Sequence, residues 1–380
     1  MISMSLPLSY IELSKNNLIH NVKIFRSLLK PKVKLSVVVK GNAYGHGQNE
    51  IVKLLAGQAA YFQVDDLDEL IRLRKATKQP VLMLGYVTKQ QCLEVVKHNA
   101  ELAIFDATLL AALQEAGQRL NKMVRVHISI DALLGREGTL IEKLPALLTT
   151  IKKHSQLKVV GVYSHFANIE DTTNLSHARK QLHFYQRAVQ LLEQHGYKNV
   201  LQHVSATSGI LTCEQQHAHA LVRLGVGVYG LWPSLALQKQ YEHKQYTLKP
   251  VLRWVTHVAQ VKLLPKGYPI GYGLTYITKK STKIALIPQG YSDGYDRGLS
   301  NCGEVLIRGQ VCKVLGRISM NMFTVDVTNV RNIKVEDEVV LLGKQGKAEI
   351  TAEAMAKKLH TINYEIISRI SPLLPRIVRK

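Results

Sequence analysis

Short apolar runs rich in β-branched residues recur along the first 230 residues, and longer amphipathic segments separate them. Near-continuous apolar runs of this length are typical of parallel strands that are buried on both faces. The segments between the runs have helical periodicity. Leu182, Tyr185 and Val189 fall on one helical face, and Gly196 follows as a stop signal. The predicted strands span 33–40, 61–65, 80–84, 101–105, 124–130, 158–164, 199–204 and 222–229.

Eight strand–helix alternations in about 240 residues predict a TIM-type (β/α)8 barrel over residues 1–245, with a doubly wound open sheet as the competing architecture. Beyond residue 250 the pattern changes, because strand-like runs follow one another without long helices between them. We therefore predict that residues 246–380 form a second, mostly β domain with one helix near 351–359. Its predicted strands are 251–263, 283–287, 304–307, 311–315, 322–327 and 338–342.

The chain is strongly basic for its length of 380 residues. Its 50 Lys and Arg residues against 28 Asp and Glu residues give a net charge of +22 with histidines neutral. The basic residues are scattered, aromatic residues make up only 6%, and no RRM, KH or zinc-finger pattern is present. We therefore expect a basic surface rather than a nucleic-acid-binding protein.

The four cysteines, Cys92, Cys213, Cys302 and Cys312, form no CxxC pair. This spacing argues against a zinc knuckle and a disulfide framework, so we predict reduced thiols and no metal site. The first residues, MISMSLPLSY, lack the basic residues that precede the apolar part of a signal peptide, and no run of 18 apolar residues is present. We expect a cytoplasmic location and no membrane partner.

Polar side chains at the ends of the predicted strands are the candidates for chemistry, because reactive groups of a barrel lie at the carboxyl ends of its strands. Lys40 closes the first run, in SVVVKGNAYGHG. Burial there would lower the pKa of its amine and make it a potential Schiff-base nucleophile; an ordinary lysine that reaches solvent is the alternative. Arg223 lies inside the last apolar run and needs a partner. Other candidates at equivalent places are Asp131, Arg136, His165, Ser205, Thr207 and Ser208.

The second predicted domain contains two segments rich in Tyr and Gly, PIGYGLTYITK (269–279) and PQGYSDGYDRG (288–298), and the polar insertion GRISMNM (316–322). Tyr-rich strands usually pack in a core, and a binding wall is the alternative. Together with VVVKGNAYGHG and VRLGVGVYGLWPS, these segments resemble bacterial alanine racemase, in the right order and over essentially the whole chain. That family consists of pyridoxal-phosphate (PLP) enzymes with a barrel and a C-terminal β domain.

The resemblance implies a racemase with two bases, because inversion removes a proton on one face of Cα and returns one on the other. Lys40 would bind PLP covalently and act on the D face, and Tyr276 of the partner subunit would act on the opposite face. A head-to-tail homodimer follows. Arg223 would face the pyridine nitrogen, with His165 beside it, and Arg136 would orient the cofactor phenolate and the substrate carboxylate. The resemblance assigns the phosphate to Tyr44, Thr207, Gly225 and Val226, and the substrate carboxylate to Met320.

The chain departs from the family pattern at three informative positions. Ser129 stands where well-known members carry a carbamylated lysine that braces the arginine, so Arg136 must be braced otherwise. Asn321 replaces a common Asp, and Pro372 replaces a Tyr that narrows the entrance. The resemblance implies a cytoplasmic enzyme that supplies D-alanine for peptidoglycan. The alternative is a racemase of the same scaffold for serine or another small amino acid; a non-catalytic PLP carrier and a fold-related decarboxylase are less consistent with Tyr276 and Arg223.

Overall fold

The protein's structure is a computed structural model that describes residues 7–171, 173–212, 220–242 and 246–380. Its strands are β1 (Tyr10–Ser14), β2 (Lys34–Val38), β3 (Tyr61–Val64), β4 (Val81–Met83), β5 (Glu101–Ile104), β6 (Val124–Ser129), β7 (Leu157–Tyr163), β8 (Leu201–His203), β9 (Leu221–Leu224), β10 (Leu252–His257), β11 (Gln260–Leu264), β12 (Pro269–Ile270), β13 (Tyr276–Ile277), β14 (Thr282–Ile287), β15 (Glu304–Ile307), β16 (Gln310–Leu315), β17 (Phe323–Asp326), β18 (Glu338–Gln345), β19 (Ala348–Ile350) and β20 (Arg376–Arg379). Its helices are α1 (Lys15–Ser27), α2 (Lys40–Tyr44), α3 (Gln48–Leu54), α4 (Leu67–Arg74), α5 (Cys92–Lys97), α6 (Leu110–Leu120), α7 (Leu144–Lys152), α8 (Ser176–Gln194), α9 (Thr207–Thr212), α10 (Leu235–Glu242), α11 (Ala352–Leu359) and α12 (Asn363–Ser368).

The strands β2 to β9 form one parallel eight-stranded sheet in the order β8-β7-β6-β5-β4-β3-β2-β9. The two end strands approach each other, because the backbone N–H groups of Ala220 and Arg223 donate to the carbonyls of Gln202 and Ser205. The sheet is therefore a nearly closed barrel. The prediction of a (β/α)8 barrel is confirmed, all eight predicted strands are present, and the open doubly wound sheet is wrong.

The apolar pattern explains why these segments form strands and helices. In β2 the residues from Leu35 to Val38 are all buried, as expected for a strand covered on both faces. The amphipathic stretch before Gly196 forms α8, whose buried side includes Tyr185, Val189 and Leu192. The helix therefore turns its apolar side towards the interior of the protein.

The chain forms two compact units. One contains Ile19–Gly41 and Ile51–Lys249, and we call it the barrel unit; the other, the β unit, contains the described residues up to Leu18, Asn42–Glu50 and Pro250–Lys380. The ten-stranded sheet of the β unit runs β11-β14-β17-β16-β15-β18-β10-β1-β20, and β19 pairs with β18. Strand β1, which the sequence pattern did not predict, pairs antiparallel with β10 and parallel with β20. The predicted boundary at residue 245 lies outside the described residues.

The β unit differs from the prediction in several details, and the short strands β12, β13, β19 and β20 were not predicted. The run 251–263 is two strands, because the chain changes partners between them: Val258 N–H donates to the carbonyl of Asp337, and Ala259 N–H donates to that of Leu286. A second helix, α12, follows the predicted one. The core of the unit contains an aromatic cluster, with Tyr295 stacked on Phe323 at 4.6 Å and Trp254 edge-on to Tyr295 at 6.1 Å.

Two further expectations concern thiols and membranes. Cys92, Cys302 and Cys312 are free thiols, and Cys213 lies outside the described residues. In the part of the chain that the structure describes, no helix combines the length and the apolar character needed to cross a bilayer.

Candidate active site

Lys40 stands just beyond the carboxyl end of β2, where a carboxylate network fixes it. The Glu69 side chain accepts hydrogen bonds from the backbone N–H groups of Gly41 (2.6 Å) and Asp65 (2.9 Å), and so ties the end of β2 to the end of β3. As a result Lys40 Nζ lies 3.0 Å from Asp65 Oδ1. The lysine side chain is 43% exposed, so of the two alternatives for Lys40 the structure has the one that reaches solvent. An ion pair at the barrel rim, rather than burial, holds the amine.

The chain turns left-handed directly after Lys40. The φ angles of the four residues 41–44 lie between 51° and 60°, a conformation that costs roughly 1–2 kcal/mol for each residue other than glycine. His46 compensates part of this cost, because its Nδ1–H donates to the carbonyls of Ala43 (3.1 Å) and Tyr44 (2.9 Å). Gly45 continues the turn with φ of 79°, and a Cβ there would lie 1.9 Å from the Ile367 carbonyl oxygen.

Arg223 is buried inside the barrel, where it donates hydrogen bonds in several directions. Its Nη1 lies 2.9 Å from His203 Nδ1, and its Nη2 donates to the carbonyls of Ser164 (2.7 Å) and Val204 (3.0 Å). Its guanidinium also lies over the Tyr163 ring, 5.1 Å from the centroid. Burial lowers the pKa of Arg223 to about 10, so it remains a cation at neutral pH. The sequence prediction that this arginine needs partners is confirmed.

His165 accepts a hydrogen bond from Arg223, with 3.1 Å between its Nδ1 and Nη2. Burial, together with the charges of Arg223 and Arg136, lowers the pKa of His165 to about 3. The imidazole is therefore neutral, and its proton resides on Nε2 because Nδ1 is an acceptor. In this pair the positive charge belongs to the arginine alone.

Thr207 and the turn after β9 form a small cluster of polar groups. The backbone N–H groups of Gly225 (3.2 Å) and Gly227 (3.4 Å) point to Thr207 Oγ1. Val226 begins the short helical turn that follows, and it is fully buried with its neighbours. Nearby in the chain, Ser205 Oγ is buried with no hydrogen-bond partner among the described residues. Backbone amides and hydroxyls of this kind are suited to an anion.

Arg136 pairs with the residue that follows it. Its Nη2 lies 2.8 Å from Glu137 Oε1, and its Nε donates to the other carboxylate oxygen. This bidentate pair raises the pKa of Arg136. Ser129 is buried at the end of β6. Glu137, which the sequence analysis did not single out, is the anion that braces the arginine.

Three predicted site residues belong to the β unit. Tyr276 opens β13 opposite Ile270, and its ring packs against the cluster of Leu264, Ile270, Ile284 and Leu315. The Met320 side chain is exposed, while its carbonyl accepts hydrogen bonds from Ser292 N–H (3.0 Å) and Oγ (2.8 Å). The Tyr44 ring lies 6.1 Å from that of Tyr364. The barrel unit contains Lys40, Arg136, His165, Thr207, Arg223, Gly225 and Val226.

Comparisons with known proteins agree over almost the whole chain. Residues 13–233 match the model of the alanine racemase N-terminal domain, and residues 251–378 match that of the C-terminal domain. The alanine racemase of Carboxydothermus hydrogenoformans is 38% identical, over 96% of this chain and 98% of its own. The chain belongs to the alanine racemase family. The resemblance seen in its motifs is thereby confirmed, as is its membership of a family of racemases.

Solved alanine racemase structures have the same fold. The enzyme of Clostridium difficile 630 superposes with a TM-score of 0.91 at 30% identity, covering 99% of this chain and 96% of that one. The Bacillus anthracis alanine racemase with bound L-Ala-P superposes with a TM-score of 0.93 at 28% identity, covering 100% and 96%. The predicted barrel followed by a mostly β domain is therefore the fold of alanine racemases.

Besides Glu69, five polar residues that the structure places in or near this site were not singled out from the sequence. Asp65 ends the second predicted strand and Glu137 follows Arg136, so position alone could have suggested both. The others lie within apolar runs of the barrel strands, where the reasoning applied to Arg223 would also have found them: Glu101, His127 and His203.

Proposed function

We propose that this chain is a PLP-dependent racemase that interconverts L- and D-alanine. The observation that carries the proposal is the arrangement on two neighbouring barrel strands. Lys40 follows β2 with its amine held at the rim, and Arg223 on the adjacent β9 is a buried, permanently charged guanidinium. The Lys40 amine can form a covalent bond to an aldehyde, and the Arg223 guanidinium is a cation that keeps its proton. This combination suits a racemase better than a decarboxylase.

The residues of the barrel unit fit PLP by their chemistry. Lys40 would hold the aldehyde carbon, the Gly225 and Val226 backbone with Thr207 would hold the phosphate, and Arg223 would donate to the ring nitrogen. The orphaned, buried Ser205 hydroxyl supports this fit, because buried polar atoms without partners are rare and costly. Tyr44 is the proposed phosphate ligand from the left-handed turn.

When bound, PLP would supply an electron sink for the negative charge that arises when the substrate Cα loses its proton. The Lys40 amine would remove or return that proton on one face. Arg223 would donate a hydrogen bond to the ring nitrogen without giving up its proton, which would make the electron sink weaker than an acidic partner would. Arg136, held by Glu137, orients the substrate carboxylate.

The second base in this proposal is Tyr276 of another copy of the chain, with the Met320 backbone beside the substrate carboxylate. A homodimer is therefore part of the proposal. A dilution series that leaves a fully active monomer would contradict it.

The substrate assignment rests on the relatives. The Bacillus anthracis relative has bound L-Ala-P, and the curated relative of Carboxydothermus hydrogenoformans is an alanine racemase. We further propose that the enzyme is cytoplasmic and supplies D-alanine for peptidoglycan. A racemase for serine or another small amino acid is the second candidate, because Pro372 replaces the Tyr that narrows the entrance in the family.

The test is the exchange of the Cα proton for deuterium with purified, PLP-loaded protein. Both enantiomers of alanine should exchange their Cα proton and racemise, and serine should do so much more slowly. Loss of exchange for both alanine enantiomers in a PLP-loaded protein would refute the function, whereas faster turnover of serine would favour the second candidate.

A further inference from the structure

A chain of buried polar side chains crosses the interior of the barrel, from Arg223 to Glu101. His203 Nδ1 lies 2.9 Å from Arg223 Nη1, and His203 Nε2 lies 2.9 Å from His127 Nδ1. His127 Nε2 in turn lies 2.7 Å from Glu101 Oε2. All four residues are at most 4% exposed, and they come from four strands, β9, β8, β6 and β5. The function proposed above uses only the first of them.

The positions of the protons along this chain follow from the donors at one end and the acceptor at the other. An arginine can only donate, so His203 Nδ1 accepts and its proton is on Nε2. That proton faces His127 Nδ1, which must also accept, so the His127 proton is on Nε2 as well. It is then donated to the carboxylate of Glu101. Every hydrogen bond therefore points from Arg223 towards Glu101, and both imidazoles are neutral.

The barrel is built to permit this contact between strands that are not neighbours. His127 on β6 reaches His203 on β8 across β7, and the intervening inward position is Gly161. A Cβ at Gly161 would lie 2.1 Å from His127 Nδ1. The Tyr163 ring stacks on His203 at 5.0 Å with an interplanar angle of 10°, which fixes the plane of that imidazole.

The hydrogen-bonded side chains link Arg223 to the carboxylate of Glu101, which Arg223 does not contact directly. Among the described residues, the hydrogen-bond acceptors of Arg223 are carbonyl oxygens and imidazole nitrogens, and none is a carboxylate. Burial alone would raise the pKa of Glu101, but the hydrogen bond from His127 and the hydrogen bond and charge of Arg125 lower it, so Glu101 is ionised. Arg125 Nε lies 2.6 Å from Glu101 Oε1, and the Arg125 side chain is 51% exposed, so the chain ends close to solvent.

We propose that Glu101 is a positioning residue for Arg223 and acts through the two imidazoles between them. Its carboxylate can only accept from His127, and this fixes both histidines in the Nε2–H form. His203 then always presents an acceptor to the guanidinium. The inference rests on the proposed function for its catalytic consequence, since Arg223 is the residue that would face the PLP ring nitrogen.

The substitution Glu101→Gln tests the direction of these hydrogen bonds and keeps a side chain of the same size. Oε1 accepts from Arg125 and, at 3.4 Å, from the Tyr61 hydroxyl, so the glutamine oxygen should stay on that side and its NH2 should face His127. An NH2 donor there requires the Nδ1–H form of His127 and then of His203. Two donors, His203 Nδ1–H and Arg223, would then oppose each other, and Arg223 should lose that contact.

The experiment records histidine 15N shifts and racemisation kinetics on the PLP-loaded wild type, Glu101→Gln and the control Glu115→Gln, an exposed residue of α6. We expect wild type and control to have His127 and His203 protonated only on Nε2. In Glu101→Gln, both should change to Nδ1–H, and kcat should fall about ten-fold with little change in KM.

Three results would overturn the proposal: a wild type with either histidine protonated on Nδ1, a Glu101→Gln protein with unchanged shifts, or changed shifts with unchanged kcat. The first requires only the wild type, so it decides even if the variant does not fold. The shifts do not depend on turnover, so a wild-type protein with the expected shifts but no racemisation would contradict the proposed function rather than the polarity of the chain.

Discussion

The interior of the barrel and the core of the β unit are equally buried but chemically opposite. The barrel encloses Arg223, His203, His127 and Glu101, with charges at both ends of one hydrogen-bonded chain. The β unit encloses stacked aromatic rings around Trp254, whose polar Nε1 finds a single acceptor, Gln289 Oε1, at 2.9 Å. Burying charges rarely increases stability, whereas burying aromatic surface does.

The difference indicates what each core is for. A well-packed apolar core would serve the barrel as well or better for stability, so its polar chain is explained by the state that it imposes on Arg223. The β-unit core holds the ten-stranded sheet together. We therefore expect substitutions at the barrel rim and interior to change activity more than stability, and substitutions in the β core to do the reverse.

The largest expected effect is that of Lys40→Ala on activity. Racemisation should fall by on the order of 10^3-fold or more, because the proposed base and the PLP attachment point are both removed. Stability should change by less than about 1 kcal/mol, since the ion pair with Asp65 is about half exposed. Steady-state kinetics and urea unfolding measure both, with the exposed Lys53→Ala as control. Retention of activity would remove Lys40 from the mechanism.

Next is Trp254→Ala in the β core. It should lower the free energy of unfolding by about 3–5 kcal/mol, because it leaves a cavity beside Tyr295 and removes the partner of Gln289. Chemical denaturation measures the loss, and Leu263→Ala, at a side chain that is 70% exposed, is the control. A loss similar to that of the control would contradict the contrast between the two cores.

Glu137→Gln should have a smaller effect, confined to substrate binding. Without the carboxylate, the Arg136 side chain loses its bidentate partner and samples more conformations, so KM for alanine should rise about ten-fold while kcat changes less. Initial-rate kinetics with Glu142→Gln as control measure this. A change in kcat alone would mean that Arg136 does not orient the substrate carboxylate in the ground state.

The last expected effect is a pH dependence of stability, to which each unit contributes one histidine. Burial lowers the pKa of His165 in the barrel to about 3 and that of His46 in the β unit to about 4. Unfolded histidines bind protons below about pH 6.5. Each neutral histidine therefore contributes stability above that pH, and the contribution is lost as pH falls from about 6.5 towards the folded pKa, at about 1.4 kcal/mol per pH unit.

Unfolding free energies at pH 7.5 and pH 5 measure this slope. The variants His165→Gln and His46→Gln should each reduce the slope of the unfolding free energy against pH by the contribution of one histidine. An unchanged slope in either variant would mean that the replaced histidine binds its proton over the same pH range in the folded and the unfolded protein.

Apolar periodicity was sufficient to predict the eight barrel strands, because most of them are buried on both faces and form near-continuous apolar runs in the sequence. It did not predict β1, a short N-terminal strand whose place is set by pairing with β10 and β20, far away in the sequence. The need of Arg223 for partners was also predictable. The resemblance gave His165 as one of those partners. It did not give His203, because the contact between His127 and His203 depends on the register of three strands and on the space at Gly161.

The motifs located Lys40 and Arg136, but not the carboxylates that hold them. Asp65 becomes the partner of Lys40 only because Glu69 ties two strand ends together. Glu137 follows Arg136 directly, and only the loop conformation turns its carboxylate back to the guanidinium. Such pairings depend on loop geometry, which periodicity does not encode.

Reductive trapping tests the central claim most directly. The protein is incubated with PLP, reduced with borohydride and digested, and the modified peptide is identified by mass spectrometry. The account predicts a single pyridoxyl group on Lys40, in the peptide that continues into the left-handed turn. A label on another lysine, or none at saturating PLP, would contradict it.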